Sequence, residues 1–291
     1  MLGIYSCQTN FGVDFSLSKM NYYLGIDVGS VSTKLALLDT ENQLVAQACL
    51  PTHGQPEAAV KAGLLTIQQQ LPQDATVASV AVTGSARELA GNIVGADIVK
   101  NEVTSHAAAT LHYFPHARSI IEIGGQDSKI IVLKDGLVLD FGMNTVCAAG
   151  TGSFLDHQAQ RLGLTMEKFG ELACFSNTPD HFSGRCTVFA ESEMIHKQQS
   201  GAKLEDILYG LCQTLVHNYL NSVAAGKEIL TPVIFQGGLA LNRGIVRALQ
   251  QELHCQLIIP QAPQLMGAFG AALLAAKHAP DAQSQFKGFC I

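Results

Sequence analysis

The sequence has few charges and no long apolar run, and these absences exclude several classes of protein. Charged residues make up 14% of the 291 residues, and the formal net charge is −6. A general binder of nucleic acid or of a membrane surface needs a basic face, so we expect neither partner. No stretch approaches the roughly 18 uninterrupted apolar residues of a membrane-spanning helix. Residues 1–20 lack the basic and apolar segments of a signal peptide, and we expect them to be a disordered extension.

The eight cysteines include no CxxC pair, which argues against a thioredoxin-like motif and against a zinc ribbon within one chain. Without an export signal, so many cysteines point to the reducing cytosol, and we expect a cytoplasmic protein. Cys49, Cys212 and Cys255 lie in apolar segments and are interpreted as small core residues. Cys7 and Cys290 fall in chain ends that we expect to be frayed.

Cys147 and Cys186 differ from the others because each opens a predicted helix, in NTVCAAGTGSFLD and GRCTVFAESE. A thiol at a helix N-terminus lies at the positive end of the helix dipole, beside backbone N–H groups without helical partners. That setting favours the thiolate, which ligates metals and carries out redox chemistry. The alternative, a pair of buried structural thiols at helix starts, stays open at this point.

The predicted elements occur in two successive blocks, which indicates an internal duplication. The first block has strands YYLGID, TKLALLD and NQLVAQACL, helix PEAAVKAGLLTIQQQL, and strand ATVASVAVTG. The second begins near residue 117 with strands RSIIEIGG, SKIIVLKDG and LVLDFGM, followed by helices at about 149–162, 187–200 and 204–225. Strand TPVIFQGG, helix NRGIVRALQQEL, strand QLIIP and helix QLMGAFGAALLAAKH complete the chain. No linker rich in proline or charge separates the blocks, so we expect them to pack across a cleft.

The turn GIDVGSVSTK in the first block is typical of a phosphate-binding hairpin. Gly29 permits close backbone approach, and Asp27 at the strand end is placed to hold a hydrated Mg²⁺. The hydroxyl groups and the positive charge that we expect to contact phosphate belong to Ser30, Ser32, Thr33 and Lys34. A plain glycine–serine turn is the alternative interpretation.

The second block repeats the arrangement in EIGGQDSK, which makes a chance match less probable. The residues of this hairpin that we expect at the nucleotide are Glu122, Gly124, Gly125, Gln126, Asp127, Ser128 and Lys129. Two such hairpins can hold a polyphosphate from both sides of a cleft. A third pair, Gly237 and Gly238, lies between a strand and a helix and suits phosphate or adenosine contact, although a simple turn would look alike. None of the three turns is a P-loop or a Rossmann fingerprint.

The combination of two phosphate-binding hairpins and a third glycine turn resembles the actin, sugar-kinase and heat-shock-chaperone ATPase superfamily. A closer resemblance is to the ATP-dependent activators of 2-hydroxyacyl-CoA dehydratases and to the ATPase subunits of benzoyl-CoA reductase. GIDVGS, IIEIGGQDSK, NTVCAAGTGSFLD and CTVFAESE carry the resemblance, which extends over about residues 22–278. It implies an α/β, ribonuclease-H-like fold, duplicated into two mixed-sheet domains that flank a nucleotide cleft. We expect residues 21–116 with the C-terminal helix 263–278 to form the first domain, and 117–262 to form the second.

The resemblance also implies a homodimer with one [4Fe–4S] cluster, to which each chain donates Cys147 and Cys186. Two thiolates per chain are too few for four ligands, so a symmetric partner agrees with this expectation. ATP with Mg²⁺ would drive the transfer of one low-potential electron, received from ferredoxin or flavodoxin, to a CoA-ester dehydratase or reductase. The candidate catalytic residues are Asp27 and Glu122, for Mg²⁺ and water, and Asp127, which with Gln126 lies near the γ-phosphate.

Two positions depart from the family pattern. Val31 stands where threonine is common, and Glu122 where aspartate is common. A longer carboxylate still reaches Mg²⁺ or the attacking water, so we expect ATP binding to be kept. Two other functions stay open: a small-molecule kinase of the same fold, which leaves the paired cysteines unexplained, and a regulatory nucleotide binder without catalysis.

Overall fold

Two five-stranded mixed sheets form the centre of the computed structural model. The structure describes residues 21–72, 75–144, 147–183, 186–279 and 283–291. The extension predicted at residues 1–20 lies outside the described residues. Within them, no helix has the length and apolar character that crossing a membrane requires.

The first sheet has its strands in the order β3-β2-β1-β4-β5. The strands are β1 (Asn21–Val28), β2 (Ser32–Leu38), β3 (Leu44–Pro51), β4 (Thr76–Thr83) and β5 (Ile98–Val99). The first three are antiparallel neighbours, and β1, β4 and β5 run parallel. Strands β1 and β4 are buried along nearly their whole length, as their continuous apolar sequences predict.

The second sheet repeats this topology, in the order β10-β9-β6-β7-β8. Its strands are β6 (Ser119–Ile123), β7 (Ser128–Lys134), β8 (Leu137–Asn144), β9 (Val233–Gln236) and β10 (Leu257–Ile258). Again the first three are antiparallel neighbours and the last two join in parallel. In each sheet, the turn of one β-hairpin carries a predicted phosphate-binding segment. This hairpin is β1–β2 in the first sheet and β6–β7 in the second.

Helices pack on both sheets. They are α1 (Pro56–Gln68), α2 (Arg87–Val94), α3 (Glu102–Tyr113), α4 (Gly152–Arg161), α5 (Met166–Ala173), α6 (Thr187–Gln199), α7 (Leu204–Ser222), α8 (Arg243–Leu253) and α9 (Met266–His278). Single 3₁₀ turns lie at Ala148–Gly150, Gly238–Leu241 and Pro263–Leu265. The sequence patterns did not predict α2, α3, α5 or the short strand β5.

The C-terminal helix α9 packs against the first sheet although it follows the second in sequence. The approach is so close that a Cβ on Gly25 of β1 would lie 2.0 Å from the Ala268 carbonyl oxygen. A Cβ on Gly270 would lie 1.8 Å from the carbonyl oxygen of Ser105 in α3. Glycine is therefore needed at both crossings. The domain boundaries themselves stay a prediction.

Helix α3 lies between the two sheets. One side contacts α9 through Ala109, which packs with Phe269. The other side contributes Val103 and Ala107 to an apolar cluster that includes Ile131 of the second sheet. A helix that touches both halves is placed to transmit a movement of one to the other.

The cysteine predictions from the sequence need one correction. Cys212 is buried and Cys255 is half-buried, but Cys49 is exposed rather than a core residue. Strand β3 alternates its faces, so Ala46 and Ala48 point into the core and Cys49 points to the opposite side.

The C-terminal segment that follows α9 is packed rather than frayed. Phe286 and Phe289 contact the core of the first sheet and meet edge to face, with ring centroids 5.3 Å apart. The Gln285 backbone N–H donates to Asp97 Oδ1 over 2.7 Å. Apolar burial and this hydrogen bond hold the segment, while Cys290 stays on its exposed side.

Candidate nucleotide and metal site

A cavity of about 700 Å³ lies where the two hairpins face each other. It brings together the predicted residues Asp27, Ser32, Lys34, Glu122, Gly124, Gly125, Gly237 and Gly238. A recess of about 40 Å³ shares its walls and adds Gly29, Ser30, Gln126, Asp127 and Lys129. A two-sided cleft with glycine backbone on three turns has the shape that a polyphosphate requires.

Thr33 and Ser128 line neither space. The Thr33 side chain is fully buried, and its hydroxyl lies 3.0 Å from the Thr52 hydroxyl. Thr52 in turn donates to the Gly29 carbonyl oxygen over 2.8 Å, so this pair braces the first turn. The Ser128 hydroxyl is buried within the second hairpin. Their predicted phosphate contacts stay predictions.

Asp27 and Lys34 face each other across the first hairpin. They are cross-strand neighbours, and Lys34 Nζ lies 3.7 Å from Asp27 Oδ2. Burial alone would lower the pKa of Lys34, but the nearby carboxylates of Asp27 and Glu122 raise it above its usual value. The ammonium is therefore charged and is suited to an anionic ligand.

Lys129 lies at the centre of three carboxylates in the second hairpin. Its Nζ is 2.6 Å from Glu102 Oε2, 3.0 Å from Glu122 Oε2 and 2.8 Å from Asp127 Oδ2. Lysine has three N–H donors, and these contacts occupy all of them. Burial would lower the pKa of Lys129, but the three carboxylates raise it well above its usual value. Lys129 thus neutralises the three acids, and its predicted phosphate contact stays a prediction.

The three acids around Lys129 respond differently to that environment. Burial raises the pKa of Glu102 to about 7 and also raises that of Glu122, in both cases against the lowering effect of Lys129. Burial would also raise the pKa of Asp127, but the charge of Lys129 and the hydrogen bonds that Asp127 accepts outweigh burial and lower this pKa. Among these three acids, Asp127 therefore stays ionised, whereas Glu102 and Glu122 accept protons more readily.

Glycines let the turns approach the acids. Gly237 has φ +90°, and a Cβ there would lie 2.7 Å from Glu122 Oε1. At Gly124 a Cβ would lie 2.8 Å from Asp127 Oδ1. A Cβ on Gly125 would lie 2.5 Å from Val31 Cγ2. Val31, which departs from the family pattern, therefore packs against the opposite hairpin.

The sequence patterns did not mark Glu102 and His106 of α3, which line the cleft. They also did not mark Gln236, a fully buried residue at the end of β9 that contacts His106. His106 lines the cavity, and its Nδ1 is 3.0 Å from Gln236 Nε2. Burial, with Lys129 nearby, lowers the pKa of His106 to about 4. Asn101 is a local signal that would have marked α3, because its side chain caps the helix by accepting from the Thr104 N–H.

The two candidate cluster cysteines are both exposed. Cys186 is the N-cap residue of α6, as predicted. Cys147 precedes the 3₁₀ turn Ala148–Gly150, and α4 follows from Gly152, so the helix predicted at about 149–162 begins as a 3₁₀ turn. The side chain of Asn144 holds this residue in place by accepting from the Cys147 N–H (3.1 Å) and donating to its carbonyl oxygen (2.7 Å).

The helices that follow the two cysteines are joined by an ion pair. Glu191 of α6 contacts Arg161 of α4 and lies 3.7 Å from His157. The contact joins the C-terminal end of α4 to the first half of α6. The described residues contain no group of three or more His, Cys, Asp or Glu side chains arranged to hold a metal ion.

Comparison with known proteins gives relatives that match almost end to end. The 2-hydroxyisocaproyl-CoA dehydratase activator of Clostridioides difficile is 36% identical over 91% of this chain and 99% of its own length. The (R)-2-hydroxyglutaryl-CoA dehydratase activating ATPase of Acidaminococcus fermentans is 33% identical over 89% of this chain and 98% of its length. The activator of lactoyl-CoA dehydratase of Anaerotignum propionicum is 38% identical over 87% and 97%.

Structural comparison agrees. The solved activator of the 2-hydroxyisocaproyl-CoA dehydratase from Clostridium difficile, with bound ADPNP, superposes with a TM-score of 0.81 at 34% identity, over 89% of this chain and 96% of that one. The predicted α/β, duplicated actin-like ATPase fold is thereby confirmed. The model of the BadF/BadG/BcrA/BcrD ATPase family matches residues 24–275. This chain belongs to that ATPase family, as the motifs of its two hairpins and its two cysteine segments predict.

Proposed function

We propose that this protein is an ATP-hydrolysing activator that passes a low-potential electron to a 2-hydroxyacyl-CoA dehydratase or a related CoA-ester reductase. The observation that carries the proposal is a pair of exposed thiols, Cys147 and Cys186, in a chain that also has a two-sided nucleotide cleft. The relatives are activators of three different dehydratases, which supports this class of partner. A ferredoxin or flavodoxin in the cytoplasm is the proposed electron donor.

The donor set fits a cluster shared between two copies of the chain. Two exposed thiolates from each copy would supply the four ligands of one [4Fe–4S] cluster, which stores and transfers a single electron when bound. Val188 and Phe189 follow Cys186 and are 64% and 65% exposed. A second copy packed against α6 would cover these apolar side chains and keep water from the thiolates.

In the cleft, we assign Asp27 and Glu122 to the Mg²⁺ ion and the attacking water. Lys129 binds Glu122 through Oε2, while Oε1 lies beside the glycine wall at Gly237. Asp27 lines the cavity and lies against the charged Lys34. Carboxylates with few protein neighbours on one side suit Mg²⁺, which retains several waters and takes one or two carboxylates. Asp127 and Gln126 would lie near the γ-phosphate.

The remaining cleft residues are proposed to bind the nucleotide. The N–H groups of Gly29, Gly124 and Gly237 donate to the carbonyl oxygens of Ser32, Asp127 and Pro263 and hold the three turns in shape. Other backbone N–H groups of these turns would donate to phosphate oxygens, and Lys34 would balance the phosphate charge. The residues of this set are Gly29, Ser30, Ser32, Lys34, Gly124, Gly125, Gly237 and Gly238.

The test is an anaerobic purification that measures iron, acid-labile sulfide and the electron paramagnetic resonance of the reduced protein. We expect a brown, oxygen-sensitive protein with two irons per chain, as one four-iron cluster per pair of chains requires. Cys147→Ala and Cys186→Ala should each lose the cluster and retain ATP binding. Cys174→Ala is the matched control, because Cys174 is also an exposed cysteine beside the second sheet.

Full iron content in either variant would overturn the assignment of the thiols. A colourless, iron-free wild type that phosphorylates a small molecule would instead favour the kinase alternative.

A further inference from the structure

The recess beside the large cavity has room for roughly one or two water molecules. Its volume is about 40 Å³, which is too small for a triphosphate or a sugar. The turns of both hairpins form its walls, with Gly29 and Ser30 from the first and Gly124 and Gln126 from the second. A water in the recess would therefore lie beside the end of a polyphosphate that is held between the two turns.

Glu102 belongs to the wall of this recess and comes from neither hairpin. It lies in the first turn of α3, where the Asn101 side chain caps the helix by accepting from the Thr104 N–H over 2.9 Å. The cap fixes the start of the helix, and with it the direction from which Glu102 enters the recess. The Glu102 side chain is 14% exposed, and it lines the recess without lining the large cavity. It is thus positioned for a water rather than for the body of the nucleotide.

Three carboxylates share the single ammonium of Lys129, which leaves an excess of negative charge around it. Lys129 Nζ lies 2.6 Å from Glu102 Oε2, and Glu122 and Asp127 occupy its other donors. A proton gained by one acid reduces the repulsion among the three, while Lys129 stays paired with the other two. Burial raises the pKa of Glu102 to about 7 against the lowering effect of Lys129, and Asp127 and Asp27 act in the same sense as burial. A carboxylate in this range is well matched to accepting a proton at neutral pH.

The other acids of the recess have different tasks or are weaker bases. Asp27 and Glu122 also line the large cavity, where they are assigned to Mg²⁺ and to the orientation of the water. Asp127 lines the recess alone, but Lys129 outweighs burial there and lowers its pKa, so it accepts a proton less readily. Among the described acids of the recess, this leaves Glu102.

We infer that the recess holds the water that attacks ATP and that Glu102 is the general base for this water. The inference rests on the ATP hydrolysis proposed above. The water oxygen bonds to the γ-phosphorus while the bond from that phosphorus to the β,γ-bridging oxygen breaks, and ADP leaves with the electron pair. The water proton passes to the Glu102 carboxylate and from there to solvent. Because the recess is too small for a sugar, the same geometry makes water the acceptor of the phosphoryl group.

Glu102→Gln keeps the shape of the side chain and an acceptor for Lys129 but removes the base. We expect kcat for ATP hydrolysis to fall by about 100- to 10,000-fold, the usual contribution of a positioned general base. The affinity for the non-hydrolysable analogue ADPNP, measured by calorimetry, should stay near the wild-type value, because Glu102 lies outside the large cavity. Stability in urea should not fall, since the variant removes one of three crowded negative charges.

Glu57→Gln is the matched control for this variant. Glu57 also lies in the first turn of a helix, α1, and pairs with a lysine, Lys61, over 3.0 Å, but it does not line the cleft. We expect this control to match the wild type in kcat and in ADPNP affinity. A merely structural role of Glu102 would instead lower stability or ADPNP affinity together with kcat.

A second variant tests the carboxylate itself. Glu102→Ala vacates a space that formate, the smallest carboxylate, can enter. We expect formate to restore part of the hydrolysis in Glu102→Ala, and chloride at the same concentration to restore none. This measurement also supplies the test if Glu102→Gln fails to fold.

Wild-type kcat in Glu102→Gln would overturn the inference, and so would the absence of rescue by formate if Glu102→Ala alone can be purified. Asp27→Asn separates this failure from that of the proposed function. If Asp27→Asn is inactive while Glu102→Gln hydrolyses ATP normally, only the inference fails. If the wild type transfers the γ-phosphate to a small molecule and not to water, the proposed function fails with it.

Discussion

Removing the Lys129 ammonium should destabilise the protein strongly at neutral pH. Lys129→Met keeps most of the side-chain volume but leaves Glu102, Glu122 and Asp127 crowded without their common partner. Breaking a buried ion pair on one side costs about 3–5 kcal/mol, because the remaining charge stays buried and unpaired. A domain of this kind has a total stability of about 5–15 kcal/mol. We therefore expect a loss of about 3–5 kcal/mol, a large share of the whole.

The loss should shrink as the pH falls. Burial already raises the pKa of Glu102 to about 7 and that of Glu122, and without Lys129 both would rise further. A carboxyl group whose pKa is raised in the folded state stabilises that state below the unfolded pKa, and this contribution is lost as pH rises through the folded pKa. The difference between Lys129→Met and wild type should thus be largest at pH 7 and above, and smaller near pH 5.

Urea unfolding followed by circular dichroism at pH 5, 6, 7 and 8 measures this difference. Lys227→Met is the matched control, because Lys227 makes a similarly short contact, 2.6 Å to Asp140, on the exposed surface. We expect the control to lose only a small fraction of what Lys129→Met loses. An equal loss in both variants, or a loss at Lys129 that does not change with pH, would show that the three acids do not depend on Lys129 for their charge balance.

Three other predictions concern the cleft, the core and the coupling between them. Asp27→Asn should weaken Mg²⁺-dependent ATP hydrolysis far more than ATP affinity, because the carboxylate acts through the metal. Steady-state hydrolysis and equilibrium ATP binding measure the two effects, and unchanged hydrolysis would show that Asp27 does not bind the metal. Gly270→Ala should cost about 1–3 kcal/mol or more in urea unfolding, because its Cβ would overlap the Ser105 carbonyl oxygen, and a neutral result would contradict the close crossing of α3 and α9. A chelator should strip iron faster in the presence of ATP than of ADP, because nucleotide binding that favours one dimer arrangement changes access to the cluster, and identical rates would argue against this coupling.

The sequence predicted those parts of the fold whose signal is local. Continuous apolar runs next to glycine turns marked the strands of both hairpins, and repetition of the pattern indicated the duplication. The acids Asp27 and Glu122 stood out because each ends such a strand, and the structure brings both to one cavity. Here, chain order and local chemistry agree with the final packing.

What the sequence could not predict depends on contacts between distant segments. Helix α3 is buried between the two sheets, so it lacks the single apolar stripe by which amphipathic helices are detected. Its Glu102 and His106 look like ordinary polar residues until Lys129 and Gln236 approach from the other sheet. The sequence also did not separate the 3₁₀ turn that follows Cys147 from α4, because a 3₁₀ turn and an α-helix start with similar sequences.

The surroundings of Lys129 give a further example. A lysine after a glycine turn predicts a phosphate contact, yet its donors are occupied by carboxylates in the described structure. Glu122 and Asp127 are neighbours in sequence and could have been paired with Lys129 in advance. Glu102 comes from the first block, and only the fold shows that it belongs to the same group.

Native mass spectrometry of the anaerobically purified protein would show whether one cluster joins two chains. We expect one species that contains two chains and one [4Fe–4S] cluster, and that binds ATP. Mixing this protein with a chelator should release the iron and convert the species to single chains, because the cluster links Cys147 and Cys186 of both copies. A cluster found on single chains, or a stable iron-free dimer that activates a CoA-ester dehydratase, would contradict the account.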